Sequence, residues 1–305
     1  MRRKGPDMYY NDLNTHLRSR FGCKVYKLSL STGGTCPNRD GTCGTDGCIF
    51  CDGAGFFAAK APSVAEQLHE AKARVAAKVP AGSRYIAYFQ DFTATYAPLP
   101  LLRERFTQAI QDPEVVALSV ATRPDCLPED VMALLQELGA IKPVWVELGL
   151  QTIHEETARF IRRGYELPVF DEAVKKLKKA GLEVIVHLIF GLPGETEEMM
   201  LESVDYVGNS GADGVKLHLL HVLEGTDLAT HYRETPFPLP SMEEYIALLE
   251  RCIARLPREM VIHRLTGDGA KKNLIAPLWT GDKKRVLNAI RTTFVSHDVQ
   301  QGSDR

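Results

Sequence analysis

The sequence predicts an α/β protein whose parallel strands, covered by helices, form one partial or complete barrel. Three observations predict it. Strand-length apolar runs alternate with helix-period segments, six strands in all. No repeat, low-complexity tract or long linker interrupts residues 24–256. Chemically distinctive residues fall just after the strands, where parallel α/β architectures place their chemistry.

Each element has its own warrant. Residues 24–30 alternate apolar and polar side chains, as a half-buried strand does, and lead into a cysteine-rich loop. Residues 63–79 read as a helix, with Ser63 as N-cap and Glu66 three residues on, the pattern of a capping box. A strand over 84–90 precedes a helix over 99–110, and a strand over 115–122 precedes a helix over 128–138. A strand over 144–150 is followed by helices near 154–163 and 169–180. Residues 182–190 form the most hydrophobic strand, followed by a helix over 195–207. The sixth strand spans 214–220, and a helix spans 242–255. Parallel pairing requires crossovers, which these helices supply. The cysteine loop, Gln90 and Asp91, and residues 122–125, 147–151, 187–194 and 218–221 then lie at the C-terminal strand ends. That placement marks the chain as an enzyme.

Composition bounds the reading. The 305 residues are 44% hydrophobic and 25% charged, which excludes collagen-like, disordered and highly charged classes. No apolar run reaches the roughly 18 residues of a membrane span, so no membrane association is expected. Residues 1–11 are basic and then aromatic, without the apolar core of a secretory signal, which predicts a cytoplasmic protein. The net charge of −2 conceals an asymmetry: +5 over residues 1–30, −13 over 31–250 and +7 over 251–291. Basic ends suit a polyanionic partner, although solvated surface lysines produce the same count.

Four of the seven cysteines, Cys36, Cys43, Cys48 and Cys51, fall within sixteen residues. A cytosolic chain has little use for disulfides, so the cluster points to metal or redox chemistry. The surrounding Gly, Asn, Asp and Thr make the segment a loop, able to wrap a metal centre. Cys48 and Cys51 form a Cys-x2-Cys pair, while Cys36 and Cys43 compete for the remaining position. Four ligands would make a closed zinc site, and three would leave an iron–sulfur cluster with one open iron. Spacing alone leaves both readings standing.

A cysteine loop after the first strand of a six-unit βα chain resembles the radical S-adenosylmethionine (SAM) superfamily. Five segments, 36–42, 122–125, 147–151, 190–196 and 263–268, resemble a bacterial family related to the elongator catalytic subunit. The resemblance covers nearly the whole chain and implies a partial (β/α)6 barrel over 23–256, with the iron–sulfur loop at 35–53. A basic N-terminal arm (1–22) and a basic C-terminal extension (257–305) would flank it, the latter as a substrate-binding element.

The resemblance also implies cofactors and roles. A 4Fe–4S cluster would bind SAM and cleave its sulfonium to a 5′-deoxyadenosyl radical, so that the cofactor performs the difficult chemistry. Cys36, Cys48 and Cys51 match the stretched Cys-x11-Cys-x2-Cys spacing of the elongator-like branch, with Cys43 in place of Cys36 as the rival triad. Phe50 matches an aromatic residue that packs beside the adenine, or else packs the loop. Gln151 and Arg163 match residues that hold the ribose and carboxylate; the other reading of Arg163 is a helix-end cation before Gly164. His187 takes a position where a related enzyme has a ribose-binding carboxylate. Gln90 and Asp91 replace a glycine-rich motif that contacts the methionyl amine. Gly191 and Gly194 either approach the adenine or form a turn. Catalytic residues stay unassigned.

The elongator-like branch acts on carbon 5 of the tRNA wobble uridine, so the resemblance implies tRNA as partner, together with an external electron donor. Tyr9 and Tyr10, beside Arg2, Arg3 and Lys4, would stack on bases or pack on the barrel. The competing readings are a radical SAM enzyme for a small metabolite or peptide, and a non-catalytic, zinc-stabilised RNA-binding protein. Cys126 would be a hydrogen donor or a small apolar filler, as would Cys23 and Cys252. His218, His221 and His263 would line a substrate pocket or sit satisfied in the interior, and Glu147 would bind substrate or orient the Gln151 turn.

Overall fold

Every strand expected from the apolar runs forms, and a short seventh joins them. The computed structural model describes residues 9–52, 62–267 and 271–305; Arg2, Arg3, Lys4, Gly53 and Asp268 lie outside them. The first half runs α1 (Leu13–Phe21), β1 (Val25–Leu30), α2 (Val64–Val75), β2 (Arg84–Phe89), α3 (Leu99–Gln111), β3 (Val115–Thr122), α4 (Glu129–Gly139) and β4 (Val144–Gln151). It continues through α5 (Glu155–Phe160), α6 (Leu167–Lys179), β5 (Glu183–Phe190), α7 (Glu197–Asn209), β6 (Gly214–Leu219) and β7 (Val222–Leu223). The last elements are α8 (Asp227–Glu234), α9 (Met242–Arg255), β8 (Val261–Arg264), β9 (Leu274–Ala276) and α10 (Lys283–Ser296).

Strands β1 to β6 and then β8 lie side by side in one parallel sheet, curled into a partial barrel, while β7 and β9 form a separate antiparallel pair. Buried apolar side chains of the helices and of the outer sheet face form the main core. The expected capping box starts α2: Ser63 Oγ accepts from Glu66 N at 3.2 Å, and Glu66 Oε2 accepts from Ser63 N at 3.2 Å.

Alternation along each strand turns every second side chain toward the barrel axis. At the N-terminal end Val25, Ile86, Ala117, Trp145 and Ile185, one from each of β1 to β5, pack with Leu17 of α1 as an apolar plug. Two residues further along the same strands stand Lys27, Tyr88, Ser119, Glu147 and His187. The barrel interior therefore changes from apolar to ionic within one step of the pleat.

Both chain ends differ from expectation. Within residues 257–305, β8 pairs parallel with β6 through Gly214–Val261 and Val215–Ile262, so the sheet continues past residue 256. A strand of four residues shows too few alternations to be read locally, and its pairing is non-local. The expected N-terminal arm contains α1, whose N-cap Asp12 accepts from Asn14 N and Thr15 N. Helix α1 packs against both β1 and β8, the two edge strands, and so spans the open side of the sheet. Tyr9 is buried, and the ring of Tyr10 meets Phe294 of α10 edge-on at 5.9 Å. The two tyrosines thus pack on the barrel, because their ring surface gains more there than in water.

Candidate active site

The cysteine loop is held by its own backbone. Arg39 N donates to Cys36 O at 2.8 Å, Cys43 N to Pro37 O at 2.7 Å, Gly47 N to Asn38 O at 2.7 Å and Cys51 N to Cys48 O at 2.9 Å. Asn38 docks the loop on the barrel, its Nδ2 donating to Arg162 O at 2.7 Å and to Cys48 Sγ at 3.5 Å. This close approach needs Gly164, where a Cβ would lie 2.5 Å from Asn38 Oδ1. Arg39 Nη2 donates to Cys51 O at 2.8 Å, and Arg123 Nη1 to Arg163 O at 2.7 Å.

Beneath the loop, at the C-terminal ends of the strands, lies a cavity of about 240 Å³. Cys36, Cys48, Cys51, Phe50, Gln90, Gln151, Arg163 and His187 all line it, so residues expected from separate segments meet around one cavity. Cys43 is exposed and lines other cavities, one of them a separate space of about 710 Å³ shared with Cys126.

Several of these side chains already have protein partners. Arg163, only 2% exposed, donates to Tyr165 O at 3.0 Å, Thr152 O at 2.7 Å and Glu155 Oε1 at 2.9 Å. Three of its five N–H donors are thereby engaged. Gln151 has φ of 66° at a register shift between β4 and β5, a left-handed conformation that costs a non-glycine residue stability. In the amide orientation that satisfies its neighbours, its nitrogen donates to Gly149 O at 2.8 Å and Leu150 O at 2.9 Å. His187 Nε2 bonds Glu147 Oε2 at 2.8 Å.

Glu147, fully buried, is the centre of the floor. Its Oε1 accepts from Lys27 Nζ and Ser119 Oγ, both at 2.6 Å. Its Oε2 accepts from His187 and from Lys216 Nζ, which also donates to Tyr88 OH at 3.0 Å. Burial opposes the charge of Glu147, but Lys216, Lys27 and His187 outweigh it and hold the carboxyl well below the usual carboxylate range. Burial brings Lys216 down to about 7 despite the carboxylate, and burial followed by Lys216 brings His187 down to about 4. Glu147 therefore neither orients Gln151 nor presents a free oxygen to substrate. It pairs with the buried ammonium of Lys216 and the partly buried one of Lys27.

Residues 30–207 match the radical SAM superfamily, and residues 212–295 match its C-terminal domain. The chain belongs to the radical SAM superfamily. It is 43% identical over 296 residues to YtqA of Bacillus subtilis, covering 96% of this chain and 92% of that protein. A stretch of 156 residues is 32% identical to a Methanocaldococcus jannaschii tRNA uridine(34) acetyltransferase, covering 50% of this chain and 28% of that protein. The fold resembles Elp3 of Methanocaldococcus infernus with residues 1–46 deleted, at a TM-score of 0.69 and 18% identity. That likeness, of fold alone, covers 91% of this chain and 64% of the other.

The protein is thus a radical SAM enzyme whose cofactors are a 4Fe–4S cluster and SAM, which sets aside the non-catalytic zinc reading. The residues present fit such a group. Among the described residues no three His, Cys, Asp or Glu side chains converge on a single-ion site. Cys36, Cys48 and Cys51 line one cavity and would hold an iron–sulfur cluster there, with one iron left open for the cofactor. Burial and then Cys51 push the Cys48 thiol up to about 11, so a metal arriving there must displace a proton.

Other expectations resolve without a role in this cavity. Cys126 is buried, donates from Sγ to Asp125 Oδ1 at 3.7 Å and is pushed up to about 12 by burial and then Asp125. Cys252 is fully buried in the main core, and Cys23 packs beside the apolar plug. Gly191 and Gly194 have φ of 79° and 85° in the loop after β5 and line none of the cavities described here, as turn residues would. Arg39, Tyr88, Arg123 and Tyr165 line the site cavity although no role was expected of them. Arg39 and Arg123 sit inside recognisable segments, whereas the two tyrosines carry no signal beyond their places within β2 and after α5.

Proposed function

We propose that this enzyme modifies the side chain at carbon 5 of the wobble uridine of tRNA. The observation that carries the reading is the single cavity in which the three thiols meet the residues expected to hold the cofactor. The likeness to a tRNA uridine(34) acetyltransferase over half the chain supports the uridine substrate.

In this reading Cys36, Cys48 and Cys51 hold three irons of the cluster, and Phe50 packs against the adenine. Gln151 contacts the ribose, and Arg163 meets the cofactor carboxylate. Gln90 stands at the end of β2 for the methionyl amine, and His187, fixed through Nε2 on Glu147, presents its ring edge to the ribose. Arg39 and Arg123 add positive charge beside the thiolates. When bound and supplied with an electron by an external donor, the cluster and SAM provide reductive sulfonium cleavage, and with it hydrogen abstraction from a methylene carbon. The loop over the cavity limits water, which a radical centre requires.

The test compares nucleosides from digested tRNA of a strain lacking the gene with those of its parent. A shift in one wobble-uridine derivative, reversed by the wild-type gene and not by a Cys36→Ala copy, is the expected result. An unchanged wobble profile overturns the tRNA substrate and leaves a small metabolite or peptide.

A further inference from the structure

We propose that Asn38 and Arg39 are positioning residues that raise the reduction potential of the cluster and so ease its reduction by the external donor. This role presupposes Cys36, Cys48 and Cys51 as ligands, as in the reading above, but not tRNA as substrate.

Asn38 is a polar loop residue, yet it is only 4% exposed. Its Nδ2 carries two hydrogens and faces three acceptors: Arg162 O at 2.7 Å, Arg163 O at 3.4 Å and Cys48 Sγ at 3.5 Å. As a thiol, Cys48 itself donates to Arg162 O at 3.6 Å. A ligating thiolate has no hydrogen and gives up that bond, which leaves two electron-rich atoms side by side. Asn38 donates to both of them. Its bond to sulfur strengthens as negative charge on the sulfur grows.

Arg39 adds a full charge beside the same thiols and lines the cavity with all three. Its Nη2 donates to Cys51 O at 2.8 Å, and its guanidinium lies 5.9 Å from the centre of the Phe92 ring. Gly47, the neighbour of Cys48, makes room for it. A Cβ at Gly47 would lie 2.9 Å from Arg39 Cζ, Nε and Nη2. The guanidinium is therefore held across the loop backbone and not left free in solvent.

The sign of the effect follows from charge. Reduction passes one electron from the donor to the cluster, and no bond at these two residues is made or broken. A nearby N–H dipole and a nearby cation both stabilise the added negative charge, so both shift the potential upward. Burial of Asn38 strengthens its share, since a low dielectric screens it less.

The experiment reconstitutes wild type, Asn38→Leu, Arg39→Gln and Arg39→Lys anaerobically with iron and sulfide. Iron content is measured first, and electron paramagnetic resonance then counts reduced cluster at fixed potentials. At the wild-type midpoint the reduced-to-oxidised ratio should fall about fivefold in Asn38→Leu and in Arg39→Gln. Arg39→Lys keeps the charge and should lose less, about twofold. A purely structural role predicts lower iron content, with the bound fraction titrating as in wild type, and that result overturns the proposal. So does an unchanged ratio in fully loaded Asn38→Leu and Arg39→Gln. If Asn38→Leu takes up no iron, Arg39→Gln and Arg39→Lys decide. Full iron in Cys48→Ala would instead break the ligand reading, so the two can fail separately.

Discussion

Trp145 and Glu147 stand two residues apart on β4 and face the same barrel axis, yet their surroundings are opposites. Trp145 joins Val25, Ile86, Ala117 and Ile185 in an apolar plug closed from below by Leu17. Glu147 joins Lys27, Tyr88, Ser119, His187 and Lys216 in an ionic layer under the cofactor cavity. The plug gains its stability from area removed from water, whereas the ionic layer must offset the desolvation of three charged groups. Such a layer is retained where chemistry needs it, which is why it lies on the side of the thiols and not on the closed side.

The comparison is broken most severely at the cysteines. Cys36→Ala, Cys48→Ala and Cys51→Ala should each abolish cluster incorporation after anaerobic reconstitution, read as iron content and the visible absorption of the cluster. The unfolding free energy of the iron-free chain should change by no more than about 1 kcal/mol, since the loop contributes little to the core. Trp145→Ala should do the reverse. It should cost about 3–5 kcal/mol in urea unfolding through the cavity left in the plug, while the folded fraction still takes up iron. Normal iron in all three cysteine variants would remove the assignment of ligands.

The plug and the thiols were unequally legible. Alternation in β1 and strand-length apolar runs in β2 to β6 place all six strands, and the cysteine spacing singles out the loop. The eight expected site residues share one cavity: three cysteines and Phe50 from the loop, Gln90 and Gln151 from strand ends, His187 from within β5 and Arg163 from the turn after α5. What local pattern could not show was partnership. Nothing in the sequence around Glu147 says that Lys27 and Lys216, 120 and 69 residues away, will meet its two oxygens. The same holds for β8, which is defined by its partner β6 and not by its own four residues. Long-range pairing is a property of the closed barrel, and no window of sequence contains it.

Glu147→Gln tests the ionic layer directly. Removing the carboxylate strands Lys27 and Lys216 without a counter-charge and should cost about 3 kcal/mol or more in urea unfolding. Adding Lys216→Met should recover part of that loss, since one uncompensated ammonium then disappears. A single variant within 1 kcal/mol of wild type would mean that the layer is solvated and not a buried network.

The effect of pH follows from His187, faced by Glu147 and Lys216 with Lys27 and His218 close by. Its value of about 4 lies below the ordinary 6.5, so the unfolded chain binds the proton more readily than the fold does. Stability from this group is present above about 6.5 and is lost as pH falls toward 4. The urea midpoint should therefore drop between pH 7 and pH 5, and His187→Asn should flatten part of that drop. His218, His263 and His16, all lowered chiefly by burial, act in the same direction. An equal drop in wild type and variant would place the titration elsewhere.

The smallest expected effect decides between two triads. Cys43 and Cys36 are rivals by spacing, but only Cys36 shares the cavity of Cys48 and Cys51, while Cys43 is exposed on the outer side of the loop. Cys43→Ser should leave iron content unchanged and shift stability by less than about 0.5 kcal/mol, as an exposed substitution does. If instead Cys43→Ser lost its iron while Cys36→Ala kept it, the loop would have to refold around the metal. Asn38 would then leave Arg162 O and Cys48 Sγ, because the chain between residues 36 and 43 would turn inside out. The docking of Asn38 against Gly164 argues against that rearrangement, so the iron content of these two variants tests the loop geometry as well as the ligand set.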